Sequence, residues 1–159
     1  TTRRQRAHHN HGPTLPLASR CVRFVAPSRG PLASLWNCRD RIGWKFPWVS
    51  SAGNDFNFDC NVSFHQDDAT RGDVYYNFHM MKFPQQEAPG ISVFYKDDAN
   101  DVFHTYSSYG RGGDALIGAY HYLDLTPKGR NENGPRHNLS DWVRLHDQYD
   151  APERDSSAS

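Results

Sequence analysis

The chain has 159 residues, with 18 Lys and Arg balanced by 18 Asp and Glu, and three cysteines. That length holds one domain, since domains run roughly 100–200 residues, and it is enough to bury a core. The zero net charge is unevenly divided. Thr1 to Arg39 has no acidic residue and carries Arg3, Arg4, Arg6, Arg20, Arg23, Arg29 and Arg39, so the remainder is net acidic. A net acidic body argues against nucleic acid as a partner, because a phosphate backbone selects a basic face. No stretch approaches the roughly 20 apolar residues of a membrane helix, and no apolar core of a secretory signal is present.

Thr1 to Arg20 is polar, rich in Arg and His and punctuated by Pro13 and Pro16. It has no helical or strand period and is expected to be a disordered basic tail. Its Arg-rich, acid-free character also fits a transit peptide, but the Pro and His content suits an amphipathic helix poorly. His8, His9 and His11 could touch a metal ion, yet nothing implies a fixed outer shell around them. The domain is expected over residues 21–150.

Cys21 to Ala26 (CVRFVA) reads as a short strand and Pro27-Ser28-Arg29-Gly30 as a turn. Pro31 stands at a helix start, where its missing N–H costs nothing. Leu32, Leu35, Trp36, Arg39 and Ile42 recur at steps of three and four, which predicts an amphipathic helix ending near Gly43. Trp44 to Val49 (WKFPWV) reads as a second strand, with Pro47 pointing to an edge. Strand, helix and strand with short links make a parallel crossover unit.

Asp55 to Val62 matches both a helical step and strand alternation. Phe64 to Gly72 reads as a charged surface loop, and Val74 to Met81 as a further strand. Ile91 to Lys96 and Val102 to Tyr109 alternate as strands around the turn-forming Asp97-Asp98-Ala99-Asn100-Asp101. Gly110-Arg111-Gly112-Gly113 breaks the second strand. Asp114 sits where a helix N-cap would sit, followed by Leu116, Ile117, Tyr120 and Leu123 at helical spacing and by Pro127. Asp141 can cap a last helix over Trp142 to Tyr149, and residues 151–159 are expected to fray. Together these make an α/β chain with an α+β ending.

Few residues carry chemistry. A reactive thiol requires a helix N-terminus, a cation or a partner cysteine to stabilise its thiolate. Cys21 opens a strand, Cys38 is in mid-helix and Cys60 follows Asp59, so none has that setting. There is no Cys-x-x-Cys pair, and an odd number of cysteines is no disulfide framework, so they read as reduced thiols in the cytoplasm. His104, His121 and Asp124 could meet in space, but their spacing matches no metal motif. Arg111-Gly-Gly-Asp114 resembles a phosphate cradle only weakly, because the Walker lysine is missing. No cofactor is implied.

The runs IGWKFPWVSSAGNDFNFDCNVSF (Ile42 to Phe64) and PGISVFYKDDANDVFHTYSSYGRGGDALIGAYHYLDLTPKGR (Pro89 to Arg130) carry a resemblance. With FVAPSRGPL and DWVRLHDQY, they are similar to the thioredoxin-like family known as domain of unknown function 899. Its members are predicted dithiol-disulfide oxidoreductases. The resemblance covers roughly Cys21 to Asp150. It implies a thioredoxin-like fold, a mixed sheet flanked by helices, and a cis-proline at Pro89 facing the redox cysteines. It implies a protein or small-thiol partner.

Family members place a strand, and a helix opening on Cys-x-x-Cys, ahead of FVAPSRGPL. This chain has TTRRQRAHHNHGPTLPLASR there, so it is expected to be a truncated member lacking the first core strand and the redox helix. Cys21, Cys38 and Cys60 match no family redox position and remain weak candidates. The missing strand would leave the Cys21–Ala26 and Ile91–Lys96 strands wanting partners. They could pair directly, Val74 to Met81 could fill the slot, or the chain could fold poorly alone. The resulting expectation is a redox-inactive thioredoxin-like domain; the alternatives are a single-cysteine oxidoreductase or peroxidase and a non-catalytic binding module.

Overall fold

The computed structural model describes residues 12–83, 85–135, 137 and 141–143. Helices and short strands alternate along them in an α/β arrangement. Helix α1 (Thr14–Ala18) lies within the stretch expected to be disordered. Pro13 and Pro16 both fall at its first turn, where the backbone N–H groups have no intrahelical acceptor, so prolines read as breakers open a helix instead. Residues 1–11, including His8, His9 and His11, lie outside the described residues.

Strands β1 (Ala26–Ser28) and β2 (Trp48–Ser50) pair in parallel around helix α2 (Leu32–Ile42), as the crossover reading predicts. Both strands sit later than expected. Trp44 and Phe46 are buried, and Phe24, Ala26 and Trp48 pack against them, with ring centres 5.0–5.3 Å apart. Pro47 joins the ladder through its carbonyl alone, accepting the Ala26 N–H at 3.0 Å. Pro27 and Ser28, expected in a turn, therefore pair with Val49 and Ser50. Gly43 ends α2 at φ +74°, a left-handed conformation that glycine adopts without strain. Leu35 and Cys38 are buried while Leu32 and Trp36 stay about half exposed, so the buried stripe is narrower than the sequence suggests.

The ambiguous stretch resolves as one helical turn, α3 (Phe56–Asp59). The expected charged loop contains helix α4 (Gln66–Arg71), closed by Gly72 at φ +82° and by a 2.7 Å Arg71–Asp68 pair. Val74 to Met81 folds back on itself, as β3 (Val74–Tyr76) and β4 (His79–Met81). Asn77 and Phe78 form the connection with φ of +53° and +67°. Two left-handed residues match the right-handed twist of a tight hairpin, which explains why one expected strand becomes two.

Strands β5 (Gly90–Lys96) and β6 (Val102–Tyr109) form the expected antiparallel hairpin, with a bulge between Val93 and Phe94. The Asp97 carboxylate accepts the Ala99 and Asp101 N–H groups, each at 2.9 Å, which closes the turn. A 3-10 segment (Gly110–Leu116) and helix α5 (Gly118–Leu123) follow. Asp114 is thus no N-cap: it lies inside the 3-10 segment, and α5 begins four residues later. Most of the expected last helix, residues 144–149, and the tail 151–159 lie outside the described residues.

Among the described residues the single mixed sheet is not formed. Among the described strands, β1 pairs with β2, β3 with β4 and β5 with β6, as three two-stranded sheets. Neither imagined repair occurs: β1 does not meet β5, and Val74 to Met81 satisfies its own backbone in a hairpin. The core divides likewise. One cluster holds Phe64, Val74, Tyr76, Ala88 and Tyr109; a second holds Ile117, Tyr120 and Val143; a third holds Trp44 and Phe46.

Candidate functional site

The three cysteines occupy three different settings, and all are free thiols. Cys21 is exposed, at φ +58°, between α1 and β1. Cys38 is buried on the inner side of α2 beside Leu35. Cys60 is buried at the C-terminal end of α3, next to Asp59. A helix C-terminus and a carboxylate offer no positive field to a thiolate.

Pro89 directly precedes β5. Its carbonyl accepts the Tyr76 hydroxyl at 2.7 Å, and that hydroxyl in turn accepts the Gly110 N–H at 2.8 Å. The peptide bond entering Pro89 is trans, because no cis bond occurs among the described residues; the cis expectation is corrected. Tyr76 and Tyr109 meet edge to face at 5.4 Å, and the Tyr109 hydroxyl donates to the Cys60 carbonyl at 3.1 Å. Pro89 and Cys60 therefore flank one buried aromatic pair, while Cys21 and Cys38 belong to other parts of the fold. The packing is close: a Cβ on Gly90 would stand 2.4 Å from Val62 Cγ1.

The suspected metal trio does not assemble. His104 Nε2 lies 2.8 Å from Ser107 Oγ and 3.1 Å from the Tyr106 carbonyl. A carbonyl only accepts, so Nε2 carries the hydrogen and cannot serve as a base for Ser107. His121 Nε2 bonds the Ala115 carbonyl at 3.0 Å, and Asp124 takes both of its 2.7 Å bonds from Arg130. Among the described residues no three metal-ligating side chains come together.

Arg111 and Asp114, read as a weak phosphate cradle, are committed to each other at 2.8 Å. Arg111 also reaches Glu132 at 2.9 Å, and Arg130 reaches Asp114 at 3.1 Å. The fully buried Tyr120 donates its hydroxyl to Glu132, and the Arg130 guanidinium covers its ring at 4.0 Å. Burial, then the bond to Glu132, pushes the Tyr120 hydroxyl far above its usual range. The bond from Arg130 holds Asp124 below the usual carboxylate range. Glu132 and Arg130 lie in a loop of Gly, Asn and charges, and no period in the sequence marks them as partners of Tyr120.

An α/β chain with unpaired thiols and a proline-led hairpin defines a class only broadly. The family match is definite: the model described as bacterial protein of unknown function (DUF899) matches residues 5–149, and the chain belongs to that family. The match takes in residues 5–20, which the sequence reading set outside the domain. No curated protein and no solved structure matches significantly. No described helix is long and apolar enough to cross a membrane.

Proposed function

We propose that this chain is a thioredoxin-like member of a dithiol-disulfide oxidoreductase lineage whose own cysteines perform no dithiol exchange. The order of elements supports the ancestry: a parallel β1–α2–β2 unit, then the β5–β6 hairpin entered through Pro89, then a helix. One observation carries the inactivity. Exchange requires an attacking thiolate and a second sulfur to resolve the mixed disulfide, and here the thiols lie in three separate settings, two of them buried. Unpaired, unoxidised cysteines suit a reducing cytoplasm.

The test is reaction of the native protein with an aromatic disulfide across pH 5–9, alongside dithiothreitol-coupled insulin reduction. The exposed Cys21 is expected to react in the native protein, the buried Cys38 and Cys60 only after unfolding, and insulin turnover to stay at background. Rapid labelling of any one native thiol at pH 5 overturns the proposal. Such labelling at Cys60 would favour a single-cysteine oxidoreductase acting on a small thiol or protein partner, a reading supported by the Tyr76–Tyr109 pair shared with Pro89. Its loss in Cys60→Ser would identify the sulfur.

A further inference from the structure

Twice among the described residues an aromatic ring meets a guanidinium group that also faces a carboxylate. Arg29 lies over the Phe58 ring at 4.5 Å and 3.7 Å from Glu87. Arg130 lies over Tyr120 at 4.0 Å and grips Asp124. A third place has the rings and the carboxylate but, among the described residues, no lysine or arginine. There a cavity of about 300 Å³ opens between the end of α3, the β3–β4 turn and β6. Asp59, Tyr75, Phe78 and Tyr109 line it, and its lining includes no lysine or arginine.

Phe78 and Tyr109 stand nearly perpendicular at 5.3 Å, making an aromatic corner. Phe78 and Tyr75 are 65% and 48% exposed, so their rings are open to a ligand. Asn61 and Asn77 add amide groups to the same lining. The backbone is strained here: Asn61, Asn77 and Phe78 all have positive φ, at +52°, +53° and +67°. Asparagine tolerates that region, but phenylalanine occupies it at a cost that glycine would avoid.

We propose that this cleft binds the guanidinium group of an arginine side chain. A planar cation stacks in the aromatic corner, and its five donors suit the Asp59 carboxylate and the amide oxygens of Asn61 and Asn77. An ammonium group carries the charge without the plane, and both internal precedents use arginine. His104 and Ser107 complete the lining, where the His104 Nε2 hydrogen is already shared with Tyr106 and Ser107. The recognising chemistry is the same for a free arginine and for an arginine within a peptide.

The full chain would be titrated at pH 8, where histidine is ordinarily neutral. The probes are L-arginine, N-acetylarginine amide and its uncharged counterpart N-acetylcitrulline amide, followed by tyrosine and phenylalanine ring resonances. Saturable binding of L-arginine alone supports a free ligand, and binding of the capped amide supports a peptide. The citrulline probe and the Asp59→Asn variant are each expected to bind about 10-fold or more weakly. Phe78→Gly, which removes a wall while easing the turn, is expected to weaken binding at unchanged circular dichroism. Absence of saturable binding, equal affinity for citrulline, or unchanged affinity in folded Asp59→Asn overturns the proposal.

Discussion

The Tyr120 cluster and the Asp59 cleft use the same ingredients to opposite ends. Around Tyr120 the ring is fully buried, its hydroxyl is bonded to Glu132, and Arg111 and Arg130 tie Asp114, Asp124 and Glu132 together. Every charge is answered from within the chain. At Asp59 the Tyr75 and Phe78 rings stand open against a buried Tyr109, and among the described residues no lysine or arginine lines the cleft. An internally satisfied set holds a fold together, whereas an open set recognises something from outside. Substitutions at the first should therefore cost stability, and substitutions at the second should cost binding.

The largest effect is expected from Tyr120→Ala. Removing a fully buried aromatic leaves a cavity and strips Arg130 of its ring contact, for a loss of about 3–5 kcal/mol in urea unfolding. Tyr120→Phe keeps the ring and isolates the hydroxyl. The native hydroxyl is raised above its ordinary 10.0, so the unfolded chain ionises first. The stability is full below about pH 10 and lost as pH rises, since the native state then holds the extra proton. The Phe variant should lack that alkaline loss.

Gly90→Ala comes next. The new methyl meets Val62 and the Tyr109 ring, and the overpacking should cost about 1–3 kcal/mol, read from the same denaturation midpoint. Phe78→Gly should change stability by less than about 1 kcal/mol, because relief of the left-handed backbone offsets loss of the Tyr109 contact. A large loss there would erase the distinction between the two regions. The smallest effect belongs to Asp124→Asn at the exposed rim. The native carboxyl is held below its ordinary 3.8, so the Arg130 pair is stabilising at neutral pH and lost as pH falls below that value. The variant should flatten the acid limb of the stability profile.

The sequence is most legible where the signal is local. The β5–β6 hairpin and its Asp97 turn, helix α2 with its Gly43 stop, and the parallel unit around it all follow from periodicity and turn chemistry. It misleads where distant parts decide. Pro27 reads as a turn residue but pairs in a strand, because Trp44 and Phe46 are buried in the core and the ladder begins beyond them. Val74 to Met81 looks like one strand, since nothing about Phe78 announces a left-handed residue. Asp114 has the look of a cap but serves two arginines, one of them sixteen residues away. The cysteines could be read as unpaired from spacing alone. The approach of Tyr109 to Cys60 across 49 residues could not.

The division of the core into three small clusters has a bearing on how the protein comes apart. One cluster joins the β3–β4 and β5–β6 hairpins through Tyr76 and Tyr109, while the other two shield the β1–β2 unit and α5, so amide hydrogens in the three neighbourhoods should exchange with solvent at distinct rates. Hydrogen–deuterium exchange should then resolve separate opening events, and heat should melt this chain by instalments.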